Sequence, residues 1–79
     1  MGKGVQKAMA AEPSDITDEM RKFLIALRLC GGSANGRRPH MPMASRAQDR
    51  ARQKCKRFGL AYYSDGEWHI TKAGRAASA

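Results

Sequence analysis

The chain has 79 residues, 42% of them hydrophobic and 28% charged, the balance of one small folding domain and not of a disordered tail. Five aromatics, Phe23, Phe58, Tyr62, Tyr63 and Trp68, anchor a modest core only, which leaves little room for a large enclosed active site. The net charge is +8 and is unevenly placed: between Arg37 and Arg57 eight Lys/Arg face one acid, Asp49, while the rest of the chain holds seven basic and six acidic side chains.

Residues 1–14 mix Gly, Pro, Ala and Lys without periodicity and read as a flexible arm, leaving 15–79 as a single domain. The first six residues lack the apolar stretch of a secretory leader, and Gln6 stands where a myristoylation site needs a hydroxyl. The longest strictly apolar run is 23–27, too short to span a bilayer. The expectation is a cytoplasmic protein that does not enter a membrane.

Thr17 suits a helix N-cap, and Asp18 and Glu19 put negative charge on the first turn. Met20, Phe23, Leu24, Leu27 and Cys30 then recur at three- and four-residue spacing, which predicts a helix over 17–30 with one apolar stripe. Gly31 and Gly32 stop it. The 33–42 segment carries Asn35-Gly36, Pro39 and Pro42, so at most one short helical turn fits there.

Ser45 and Gln48 have the spacing of a capping box and open a second helix over 45–58 that Gly59 ends. Ala44, Ala47, Ala51, Cys55 and Phe58 are its expected buried stripe. At about 100° per residue, the opposite side collects Arg46, Asp49, Arg50, Gln53, Lys56 and Arg57, with Arg52 and Lys54 at the edges. Residues 60–63 and 67–70 flank Ser64-Asp65-Gly66 and predict a hairpin. A three-residue loop pairing Leu60 with Ile70 and Tyr62 with Trp68 puts four large apolar groups on one face and is the preferred register. Trp68 is then core and His69 faces the other way. Thr71 caps a final short helix over 73–77.

Cys30 and Cys55 fall on apolar positions and read as core cysteines. With His40 and His69 they make a Cys2His2 set by composition, but without the close ligand pairs zinc requires. No metal or other cofactor is expected. Nor does any Ser-His-Asp, paired-carboxylate or phosphate-loop pattern point to an enzyme.

The order helix, irregular segment, basic helix, hairpin, short helix resembles the winged-helix variant of the helix-turn-helix domain, of the small phage and bacterial DNA-binding type. The likeness covers about 16–76. It is strongest where Gly59-Leu60 follows the basic helix and where Ile70-Thr71-Lys72-Ala73-Gly74-Arg75 matches an apolar-Thr-x-x-Gly-Arg return from the wing. The resemblance implies an α+β fold whose helices pack against a C-terminal two-stranded β-hairpin wing. One departure stands out: the family has a formed helix before its recognition helix, where this chain has the Gly- and Pro-containing 33–42 segment.

The resemblance also implies a small transcriptional regulator or accessory factor that places helix 45–58 in the major groove of double-stranded DNA. Arg46, Arg50, Gln53 and Arg57 are the side chains that would reach base edges or phosphates. Arg matches guanine O6 and N7, and Gln matches adenine. Asp49 either orients Arg46 or Arg50, accepts from a cytosine amine, or simply relieves repulsion along the helix. Phosphate contacts are assigned to Arg37, Arg38, Ser45, Lys54 and Lys56. Asp65 and Glu67 make the wing tip acidic, so the wing is expected to be structural. The competing reading is a protein-interaction module using the same basic face on an acidic partner. RNA would call for exposed stacking aromatics, for which Tyr63 is the candidate. A homodimer is compatible with either reading, since so small a domain binds weakly alone.

Overall fold

The computed structural model describes residues 16–79, and the expected arm over 1–14 lies outside them. Helix α1, Asp18–Leu29, begins where the Thr17 hydroxyl accepts from the Met20 amide at 3.2 Å. Its stripe of Met20, Phe23, Leu24 and Leu27 is fully buried, and Ala26 joins it. The chain leaves α1 with Gly32 donating back to the Leu27 carbonyl at 2.8 Å, a turn that hands it directly to strand β1, Ser33–Ala34.

No helix forms between β1 and the next helix. Two successive turns stand there, closed by Arg38 N–H on the Asn35 carbonyl at 3.1 Å and Met41 N–H on the Arg38 carbonyl at 2.9 Å. Pro39 and Pro42 have no amide to donate, so a helical ladder cannot continue. Met41 is buried and fixes this segment to the core.

Helix α2, Arg46–Arg57, starts at Ser45, whose hydroxyl accepts from the Gln48 amide at 3.0 Å. Only this half of the expected capping box forms. The Gln48 side chain turns away and donates to the Glu19 carbonyl at 3.0 Å and to Glu19 Oε1 at 2.8 Å, joining α2 to α1. The expected alanine stripe is also corrected. Ala44 and Ala47 are exposed, and the inward side of α2 is Gln48, Ala51, Arg52 and Cys55, with Phe58 half-buried. Polar Gln48 and Arg52 occupy core positions because each finds partners there, which is the condition for burying such groups. The helix ends in a Schellman motif: Leu60 donates to the Cys55 carbonyl at 2.8 Å and Gly59 to Lys56 at 3.2 Å, with Gly59 at φ +73°.

Strands β2, Ala61–Ser64, and β3, Glu67–Ile70, form the hairpin, but not in the preferred register. Ala61 pairs with Ile70, Tyr62 with His69 and Tyr63 with Trp68. The loop is two residues, Asp65 at φ 54° and Gly66 at φ 80°, a turn whose twist matches the strands. Leu60 is not in the strand at all. It is buried at the joint between the α2 cap and β2, and its carbonyl accepts from Thr71 at 3.0 Å. The argument that all large apolar groups share one strand face therefore does not apply. The sheet is also not a two-stranded wing. Strand β1 pairs antiparallel with β3, Ser33 with His69 and Ala34 with Trp68, to give three strands in the order β1-β3-β2.

Helix α3, Lys72–Ala77, is capped as expected by Thr71, which accepts from Gly74 at 3.0 Å and donates to the Gly59 carbonyl at 2.6 Å. A Cβ on Gly74 would collide with the Leu60 carbonyl oxygen, so the absence of a side chain sets how closely α3 seats. Arg28 Nη1 donates to the Ser78 carbonyl at 2.8 Å and closes α1 against α3. At the centre, Phe23 meets Trp68 edge-on, 5.2 Å between ring centroids, as aromatic quadrupoles favour. The result is a small α+β domain of three helices and a three-stranded antiparallel sheet.

Candidate nucleic-acid interface

The inward side of α2 is fixed by Gln48, Ala51, Arg52 and Cys55, and helical geometry then decides what faces out. Arg46, Arg50, Gln53 and Arg57 lie directly opposite the buried side, with Asp49 and Lys56 on one flank and Lys54 on the other. All seven are exposed, as are Ser45 at the helix start and Arg37 and Arg38 on the preceding turns. The ten candidate residues are all exposed, but only those of α2 are tied to one face; Arg37 lines a separate cleft with Arg52, Tyr63 and Trp68. Asp49, Arg50, Gln53, Lys54 and Arg57 line a shallow depression of about 280 Å³ on the α2 face.

Little within the described residues neutralises this face. Their one ion pair is Lys22–Glu19 on α1, at 3.1 Å, so Asp49 holds none of the surrounding cations. At the N-terminus of α2, Gln48 N–H is satisfied by the Ser45 hydroxyl and Asp49 N–H by the Ser45 carbonyl at 2.8 Å. Arg46 and Ala47, the first residues of the helix, have no intrahelical acceptor to use.

The supporting side chains are held firmly. The Gln48 amide, and after it Lys22, keeps the Glu19 carboxyl below its ordinary value of 4.5, so this contact between helices is present at neutral pH. Burial pushes the Cys55 thiol up to about 12, and the residue acts as a packed apolar group. Cys30 is half-buried and unpaired. Among the described residues no three His, Cys, Asp or Glu come together in a way that would hold a metal ion.

Three side chains differ from what their sequence positions led one to expect. Arg52, placed at an edge by spacing, is only 9% exposed. Its Nη2 donates to the Pro42 carbonyl at 3.1 Å and its guanidinium lies over the Phe23 ring at 5.1 Å. It braces the two turns where a further helix is missing. His69 does face away from the core, but it is half-buried and engaged: it stacks on Tyr62 at 4.9 Å, and its Nε2 lies 3.3 Å from the Ser64 carbonyl. Tyr62 is exposed alongside Tyr63, so the hairpin offers two accessible tyrosines where one was foreseen. The two-residue turn, which sets Tyr62 opposite His69 and off the Trp68 face, was the signal for the exposure of Tyr62. Trp68 is core, 7% exposed. No family model, curated protein or solved structure matches this chain.

Proposed function

We propose that this chain is a winged helix-turn-helix domain that binds double-stranded DNA by laying α2 in the major groove, as a small transcriptional regulator or accessory factor. The observation that carries the reading is the sorting of α2. Every one of its charged side chains except Arg52 is turned outward, and the face they form has no counter-charge of its own beyond Asp49. A major groove admits one helix, and a helix with such a face gains both phosphate attraction and base-edge donors on entering it. The packing of α2 supports the reading in another way. Helix α2 packs against α1 and β2 through its buried side, which leaves its cationic side exposed to solvent. The acidic hairpin tip, Asp65 and Glu67, suits a supporting wing better than a groove-inserting one.

Arg50→Ala and Arg46→Ala test this directly. Both side chains face solvent, so the thermal midpoint should hold while DNA affinity falls, by about 1–3 kcal/mol for a residue that reads a base. Unchanged affinity in both variants would remove this face from consideration. Binding to an acidic protein with no binding to duplex DNA would move the same face to a protein partner.

A further inference from the structure

Arg52 is nine-tenths buried, yet no carboxylate among the described residues pairs with it. Its Nη2 and Nε are used on neutral acceptors, the Pro42 carbonyl at 3.1 Å and Gln48 Oε1 at 3.5 Å. Nη1 has no acceptor among the described residues. It lies beside Gly36, where a Cβ would come within 2.9 Å of it, so any larger residue at 36 would crowd this nitrogen. Nη1 is not sealed in, because no buried side-chain nitrogen is without a partner. Arg52, Gly36 and Arg37 line a cleft of about 400 Å³ between the first turn after β1 and the hairpin, whose wall there is Tyr63 and Trp68.

The chemistry of this cleft is that of an anion site. A sequestered cation without a counter-charge is unfavourable, and an anion seated on it relieves that cost. Arg37 is exposed, with no side-chain hydrogen bond among the described residues, and brings a second guanidinium to the same cleft. Guanidinium groups match the paired oxygens of a phosphate. No Asp or Glu lines the cleft to repel one. Arg52 belongs to the inward side of α2, next to the flank that carries Asp49 and Lys56, and its Nη1 reaches the cleft from there.

We infer that this cleft is a phosphate site, in which Arg52 Nη1 and the Arg37 guanidinium together hold one backbone phosphodiester of the DNA bound by α2. The inference rests on the DNA-binding reading and adds a contact away from the helix face. Two cations that share one phosphate act as a unit, and this separates the site from two independent surface charges.

The test is the salt dependence of binding to a labelled duplex by the full chain and by Arg37→Ala, Arg52→Gln and the double variant, with thermal melts confirming that each is folded. The slope of log affinity against log salt should fall by about one in each single variant and by about one, not two, in the double. In parallel, inorganic phosphate titrated at constant ionic strength should give a saturating shift of the Arg52 Nε–H signal in nitrogen–proton NMR spectra, abolished in Arg37→Ala. If duplex binds and the single variants keep the full slope, or the double loses two, the cleft is not a shared phosphate site and the DNA reading stands. A phosphate shift that grows without saturation and is equal at Arg46, Arg50 and Arg57 overturns the cleft in the same way. If the parent chain binds no duplex, both the reading and the phosphodiester assignment fall.

Discussion

Cys55 and Leu27 show how much single positions carry in so small a core. Leu27 is fully buried, and Leu27→Ala should cost about 3 kcal/mol in a urea melt. Phe58 was an equal candidate by spacing, but it is only half-buried, so Phe58→Ala should cost clearly less. Equal losses would mean that Phe58 packs more deeply than its exposure indicates. The Cys55 thiol has an ordinary value of 9.0 and is raised to about 12 when folded. Below pH 9 it is protonated in both states and adds no pH dependence. Above that the unfolded chain ionises and the folded one does not, so stability falls as pH rises from 9 toward 12. Urea midpoints measured across this range should drop more steeply for the parent than for Cys55→Ala, and parallel curves would contradict the assignment.

At the level of elements, legibility followed the strength of local signals. The stripe of α1, the caps at Thr17, Ser45 and Thr71, and the stop at Gly59 are all local, and the structure has each of them. What escaped were long-range choices. Gln48 completes a capping box on paper but bonds Glu19, 29 residues earlier, because α1 passes beside it. The two residues of β1 carry no strand pattern and become a strand only by pairing with β3. The hairpin register was decided by turn chemistry, Asp65-Gly66, over the appeal of gathering apolar residues on one face. Gly66 at φ 80° supports that turn, so Gly66→Ala should destabilise the domain by about 1 kcal/mol, read from its urea midpoint. No change would mean that the turn adapts at little cost. The outward residues of the candidate interface were legible from 3.6-residue periodicity, since it needs only the helix and its buried side. Arg52 was not, because nothing in spacing distinguishes a charged side chain that snorkels outward from one that braces a loop.

Over the whole molecule, folding segregates charge. The described domain buries Arg52 and leaves the remaining cations of 37–57 exposed, those of α2 on its outward side, while the hairpin tip stays acidic. A protein that binds a duplex through such a side releases counterions in proportion to the phosphates it neutralises. The decisive measurement is therefore a titration of labelled random duplex DNA at several salt concentrations. The account predicts affinity that falls steeply with salt, at a slope of about four to six phosphates, the count that the exposed cations of α2 and its preceding turn can reach. Absence of binding even at low salt, or binding indifferent to salt, would contradict it.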